Sequence, residues 1–159
     1  MQDWKQVIRE HYAVAYDPTE FALSLHPPAT LDQLEALERS LGFKFPDEWQ
    51  SLYKTTNGFG VVPIKQPDFT SDLFPSIDLL PAFINNVQDW ISPTHPDVAT
   101  SFIPVLDFDN GDAIGYLRGD ESHALHMFNH EACQDDTNQD STDFLFPIEA
   151  ETLQALLLP

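Results

Sequence analysis

The sequence predicts an α+β fold: a single domain with an antiparallel twisted sheet, N-terminal helices, one inserted helix and a C-terminal helix. Three observations predict it. Apolar residues recur at helical spacing as far as Gly58, after which the pattern shortens to that of strands. Asn110-Gly111 stands between two apolar runs, the strongest short hairpin signal there is. Strands follow one another without the regular helix alternation that parallel sheets require, and no internal repeat is present. The 159 residues suit one domain, 1–159, with 1–29 as N-terminal helix and connector and 30–158 as core.

Asp3 to Ala15 reads as a helix. Trp4, Val7, Ile8, His11 and Tyr12 form one stripe, Asp3 can cap it, and Asp17-Pro18 ends it. Residues 18–29 read as a connector with a short apolar piece, Phe21 to Leu25. Thr30 and Gln33 have capping-box spacing, Leu31, Leu34, Leu37 and Leu41 line the inner face, and Gly42 stops the helix. Pro46 opens the next helix, with Asp47 and Glu48 in its first turn, Trp49, Leu52 and Tyr53 buried, and Asn57-Gly58 as the stop. Phe59–Ile64 is a strand. Leu73–Leu80 is a second extended stretch, at an edge because of Pro75.

Pro81 starts a helix to Ile91 with Phe83, Ile84, Val87, Trp90 and Ile91 on one side. Trp4, Trp49 and Trp90 all fall on inner stripes and read as core. Phe102–Phe108 is apolar on both faces until Asp107 and suits a central strand, and Ala113–Leu117 returns from it. His123–Phe128 is a third strand of this region. Residues 133–143 read as a mobile acidic loop, Phe144–Phe146 as a last strand, and Ile148–Leu158 as a closing helix. The helices of 30–41 and 46–57 are expected on one face of a sheet that includes 102–108 and 113–117.

Charge narrows the function. Asp and Glu number 26 against 7 Lys and Arg, for a net −19. Residues 1–65 carry nine acids and six bases, whereas residues 66–159 carry seventeen acids and one base, Arg118, for a net −16. Such a surface repels phosphate and argues against nucleic acid or an anionic membrane as partner. Two readings of it stay open: a solubility device, or a docking surface that steers a basic protein. The single Cys133 allows no internal disulfide, the N-terminus lacks a signal-peptide apolar core, and no apolar run reaches transmembrane length. A soluble cytoplasmic protein is the expectation.

Motifs for chemistry are scarce. His123, His126 and His130 would converge on zinc if helical. On a strand His123 and His126 face opposite ways, and the setting favours a strand. Asp107, Asp109, Asn110, Gly111 and Asp112 resemble a calcium loop but fail its register, with Gly111 at position five and Arg118 at position twelve. Cys133 close to His130 is weak support for a nucleophile. No phosphate loop, dinucleotide fingerprint or nucleophile elbow occurs. We therefore expect no catalytic residue, no metal and no cofactor.

The segment Pro27 to Gly60 resembles the SUKH superfamily, the domain shared by a yeast cell-wall-synthesis regulator and many bacterial toxin-immunity proteins. Its signature residues here are Glu38, Leu41 and Gly42, then Pro46, Trp49, Tyr53, Asn57 and Gly58, with Phe45 where a Leu is usual. Asn110-Gly111-Asp112, His130-Glu131 and the opening Asp3-Trp4-Lys5 also resemble members of this superfamily. The resemblance implies a non-enzymatic protein-binding domain, an immunity protein that docks on a cognate toxin and blocks it. Many such toxins are basic nucleases, so the expected partner-binding residues are the acids Asp107, Asp109, Asp112, Asp120, Glu121, Asp135, Asp136 and Asp140. The rival readings are a regulatory scaffold for another cytoplasmic partner and a metal-dependent enzyme using His123, His126 and His130.

Overall fold

The structure, a computed structural model, describes residues 2–158. It is α+β with antiparallel pairing throughout, and the strands divide over two sheets. The described chain forms two compact units: one runs to Ile77 and resumes at Thr152, and the other is Asp78–Glu151.

In the first unit, α1 (Trp4–Ala15) starts where the Asp3 carboxylate accepts the Gln6 N–H at 3.2 Å, and it buries Trp4, Val7 and Ile8. Helix α2 (Leu31–Leu41) carries the full capping box of Thr30 and Gln33 and ends on Gly42 at φ 60°. Its buried face is Leu34 and Leu37. Leu31, expected inside, is 52% exposed, because it occupies the first helical position, beyond the stripe set by the other leucines.

Helix α3 (Asp47–Thr55) stacks its aromatics on Phe45, which precedes it. The Phe45 and Trp49 rings lie 3.8 Å apart and Trp49 and Tyr53 3.9 Å, a ladder one turn per step. Glu38 joins the two helices, because its Oε1 accepts from Phe45 N at 2.9 Å and from Gln50 Nε2 at 3.1 Å.

Phe21–Leu25 is a strand, β1, and not part of a connector. It pairs antiparallel with β2 (Phe59–Pro63) from Phe21↔Pro63 to Leu25↔Phe59. The partner is far along the chain, so no local signal reports the pairing. Strand β3 (Ser71–Phe74) pairs with β2 at the sheet edge but stops before Pro75, so the extended stretch expected over Leu73–Leu80 is strand only at its first two residues, and Leu80 already begins the next helix. Asn57 Oδ1 accepts from Ile77 N at 2.9 Å and the Tyr53 hydroxyl donates to Pro75 O at 2.7 Å. Gly58 has φ 82°, and a Cβ there would lie 2.3 Å from the Phe74 carbonyl oxygen.

In the second unit, α4 (Leu80–Ile91) and the short α5 (Pro96–Ser101) pack on β4 (Phe102–Asp107). The sheet continues through β5 (Ala113–Leu117), β6 (His126–Phe128) and β7 (Leu145–Pro147) in the order β4-β5-β6-β7. Strand β4 is therefore an edge and not the expected central strand. The two helices bury it, which gives it the apolar look of a central strand, while Pro104 sits at a register shift as edge prolines do. The core holds Val87, Ile91, Phe102, Phe128 and Phe144. Helices α2 and α3 belong to the other unit; the helix packed on β4 is α4.

The closing helix, α6 (Leu153–Leu157), belongs to the first unit and is shorter than expected. Ile148 is held back by its N–H bond to Leu125 O at 3.0 Å. The α6 N-terminus is capped from α3, where both Glu48 oxygens accept, from Leu153 N at 2.9 Å and Gln154 N at 3.0 Å.

Candidate functional site

The second unit carries the acids that the sequence singles out. The β4–β5 hairpin is tied by its own side chains. Asp107 Oδ1 accepts the Asp109 N–H at 2.7 Å, and Asn110 Oδ1 accepts the Asp112 N–H at 2.9 Å. Asp109 at φ 60° and Gly111 at φ 99° turn the chain through left-handed backbone.

Asp112 reaches across to the residue pair that follows β6. Its Oδ1 accepts from His130 N at 2.9 Å and from His130 Nδ1 at 2.8 Å. A Cβ on Gly111 would stand 2.8 Å from the His130 ring, so glycine is what lets the imidazole lie against the turn. Desolvation works against the Asp112 charge, but the His130 hydrogen bonds outweigh it and hold the carboxyl below its usual range. Asp107, half-buried, is pushed the other way by burial.

Register decides which acids share a surface. Asp107 pairs with Ala113, and Ala113 with Phe128, which in turn pairs with Leu145. The hairpin and the loop 129–144 therefore emerge at the same end of the sheet. That end carries Asp107, Asp109, Asp112, Asp135, Asp136 and Asp140. Asp120 and Glu121 lie in the β5–β6 turn, at the opposite end with Arg118, whose Nε donates to Thr100 O at 2.9 Å.

The acidic loop is tied at Gln139. Its Nε2 donates to Ala132 O at 2.7 Å, its Oε1 accepts from Gln134 N at 2.9 Å, and its carbonyl oxygen lies 2.8 Å from His95 Nε2. Asp135, Asp136 and Asp140 are exposed on it. Asp140 caps a 3-10 turn at Ser141–Asp143, and the Thr142 N–H and hydroxyl hold its carboxyl below the usual range. The Ser122 hydroxyl and N–H do the same for Asp120.

A cleft of about 290 Å³ opens beside the hairpin, lined by Phe83 and Trp90 of α4, Phe128 of β6, and Asp107 and Asp109. Trp90, expected in the core, is 56% exposed. It stands on the flank of the Ile84–Val87–Ile91 stripe and meets the His130 ring edge-to-face at 5.7 Å. Phe108, at the hairpin, is 40% exposed. Neither aromatic was expected on the surface. Phe108 could have been found from its place at the opening of the turn, whereas Trp90 shares the spacing of the core stripe and carries no such signal.

The histidines do not converge. His123 lies at φ 53° in the turn before β6, edge-on to Tyr116, and not in a strand. His126 Nδ1 lies 3.1 Å from Ala124 O, and His130 is engaged by Asp112. Among the described residues no group of three His, Cys, Asp or Glu is placed to hold a metal ion. Burial pushes the Cys133 thiol up, away from the reactive thiolate. No described helix is long and apolar enough to cross a membrane.

A search of curated proteins finds no match. The SMI1 / KNR4 family (SUKH-1) matches residues 28–146, well over half of the chain. The matched stretch holds the Glu38 bridge between α2 and α3, the Trp49–Tyr53 stack, the Asn57-Gly58 turn and the Asp112–His130 pair. SUKH domains are generally non-enzymatic and are known for toxin immunity or related roles. On this match the chain belongs to the SMI1 / KNR4 family (SUKH-1).

Proposed function

We propose that the chain is a non-enzymatic immunity protein that acts in the cytoplasm, docking on a cognate toxin and blocking it. The observation that carries this is the charge of the second unit. Residues 78–151 hold fifteen Asp and Glu against the single Arg118, and six of the eight candidate acids emerge at one end of its sheet. A face of that kind suits a basic protein, such as a nuclease that normally holds a phosphate backbone. The family supports a protein partner such as a toxin. The family match runs through both compact units, which supports treating 1–159 as one SUKH-like domain.

The partner-binding residues we assign are Asp107, Asp109, Asp112, Asp135, Asp136 and Asp140 as one group. Asp120 and Glu121 form a separate acidic turn that a large partner would need to span. Co-expression with a toxin encoded beside this gene tests the proposal. Growth restored by the wild-type chain, with a stable complex of the two proteins, is the expected result. Continued killing at equal expression would overturn it.

A further inference from the structure

We propose that the cleft between α4 and the β4–β5 hairpin receives a single cationic side chain, an arginine, from the protein partner. This rests on the protein-binding role above and adds its recognition chemistry. At about 290 Å³ the cleft is small. It lies at the lower limit of small-molecule sites, ~300–1,000 Å³, and suits one inserted side chain.

Its two walls ask for different things. Phe83 and Trp90 offer aromatic surface, Phe128 being buried in the core, while Asp107 and Asp109 offer carboxylates. A guanidinium satisfies both, since it is planar, stacks on aromatic rings and forks onto carboxylate oxygens. A phosphate or an acidic peptide would meet two carboxylates and be repelled.

The carboxylate at the wall is already partly desolvated. Asp107 is half-buried, and among the described residues no Lys, Arg or His lies within ion-pair distance of it. Burial raises its affinity for a proton, and an incoming cation would relieve the same penalty. Arg118, the one Lys or Arg of this unit, is at the other end of the sheet. The aromatic wall is set in advance. Trp90 rests against His130, and Asp112 holds His130 by two hydrogen bonds, so little ordering remains when a partner binds.

The test is a titration followed by the indole N–H resonance of Trp90, with two probes: the tripeptide N-acetyl-Gly-Arg-Gly-amide and its citrulline counterpart, which keeps the shape without the charge. The arginine peptide should shift that resonance saturably and bind at least roughly tenfold tighter than the citrulline peptide. Asp107→Asn should weaken arginine binding by about tenfold, and Trp90→Ala, read from backbone amide shifts around Asp107, by roughly three- to tenfold. Equal binding of both peptides, no saturable shift, or full affinity in Asp107→Asn would overturn the assignment. If the peptide fails to bind while the chain still neutralises a neighbouring toxin, the cleft assignment falls and the immunity proposal stands. If the peptide binds as stated and no toxin is neutralised, the immunity proposal falls and the cleft assignment stands.

Discussion

One oxygen of Asp112 accepts both the backbone N–H and the Nδ1–H of His130, at 2.9 and 2.8 Å. This pair fastens the β4–β5 hairpin to the start of the acidic loop. Asp112→Ala should therefore cost about 1–3 kcal/mol, since it leaves a half-buried N–H and ring nitrogen without their acceptor. Folded Asp112 sits below its ordinary value of about 4. Its contribution is full above that value and is lost as pH falls through the lower folded one. Thermal melts should show the gap between wild type and variant closing below about pH 4. A gap that widens in acid would contradict the pairing.

Asp107 has the opposite sign. Burial raises its carboxyl, so its favourable state is the protonated one, present below about pH 4 and lost as pH rises through the folded value. Asp107→Asn should melt higher than wild type at neutral pH, and the advantage should vanish in acid. The amide keeps an oxygen for the Asp109 N–H. A lower melting temperature at pH 7 would show that the charge is stabilising where it stands.

Leu31 and Leu34 are one helical turn apart and should behave differently. Leu34 is 1% exposed, so Leu34→Ala should cost about 2–5 kcal/mol. Leu31 is 52% exposed, so Leu31→Ala should stay within about 0.5 kcal/mol. Denaturant unfolding of both variants measures the contrast, and equal losses would contradict the burial of α2.

Gly111 and Gly119 both have left-handed backbone, at φ 99° and 80°. A Cβ on Gly119 meets nothing within 4 Å, whereas one on Gly111 meets the His130 ring at 2.8 Å. Gly119→Ala should cost about 1 kcal/mol from backbone strain alone. Gly111→Ala should cost more and also shift the His130 ring resonances. Equal costs with an unmoved ring would contradict the packing of Gly111 on His130.

What was legible in the sequence was local. The Thr30–Gln33 box, Gly42 and the Asn110-Gly111 turn each act within a few residues, and each stands where the residues imply. What escaped was set by distant partners. The strand Phe21–Leu25 has its partner beyond two helices, at Phe59–Pro63. Strand β4 is buried by α4 and α5, and burial by helices looks in sequence like burial between strands. The eight acids were recognisable as a class, but their division between the two ends of a sheet depends on strand order, which places Asp120 and Glu121 away from the rest. Trp90 shares the spacing of a core residue, and only the direction of its helix face puts it at a cleft.

The central claim is that the acidic end of the second unit steers a basic protein partner. The measurement that tests it most directly is the association rate with that partner, captured from the source organism, over a salt series. Wild type is compared with the triple reversal of Asp135, Asp136 and Asp140 to Lys. All three acids are exposed, so the reversal should cost little beyond the Asp140 cap on Ser141–Asp143, about 1 kcal/mol. The association rate should fall steeply as salt rises, and the reversal should lower it and flatten its salt dependence. An acidic partner, or an association rate indifferent to both salt and the reversal, would contradict the claim.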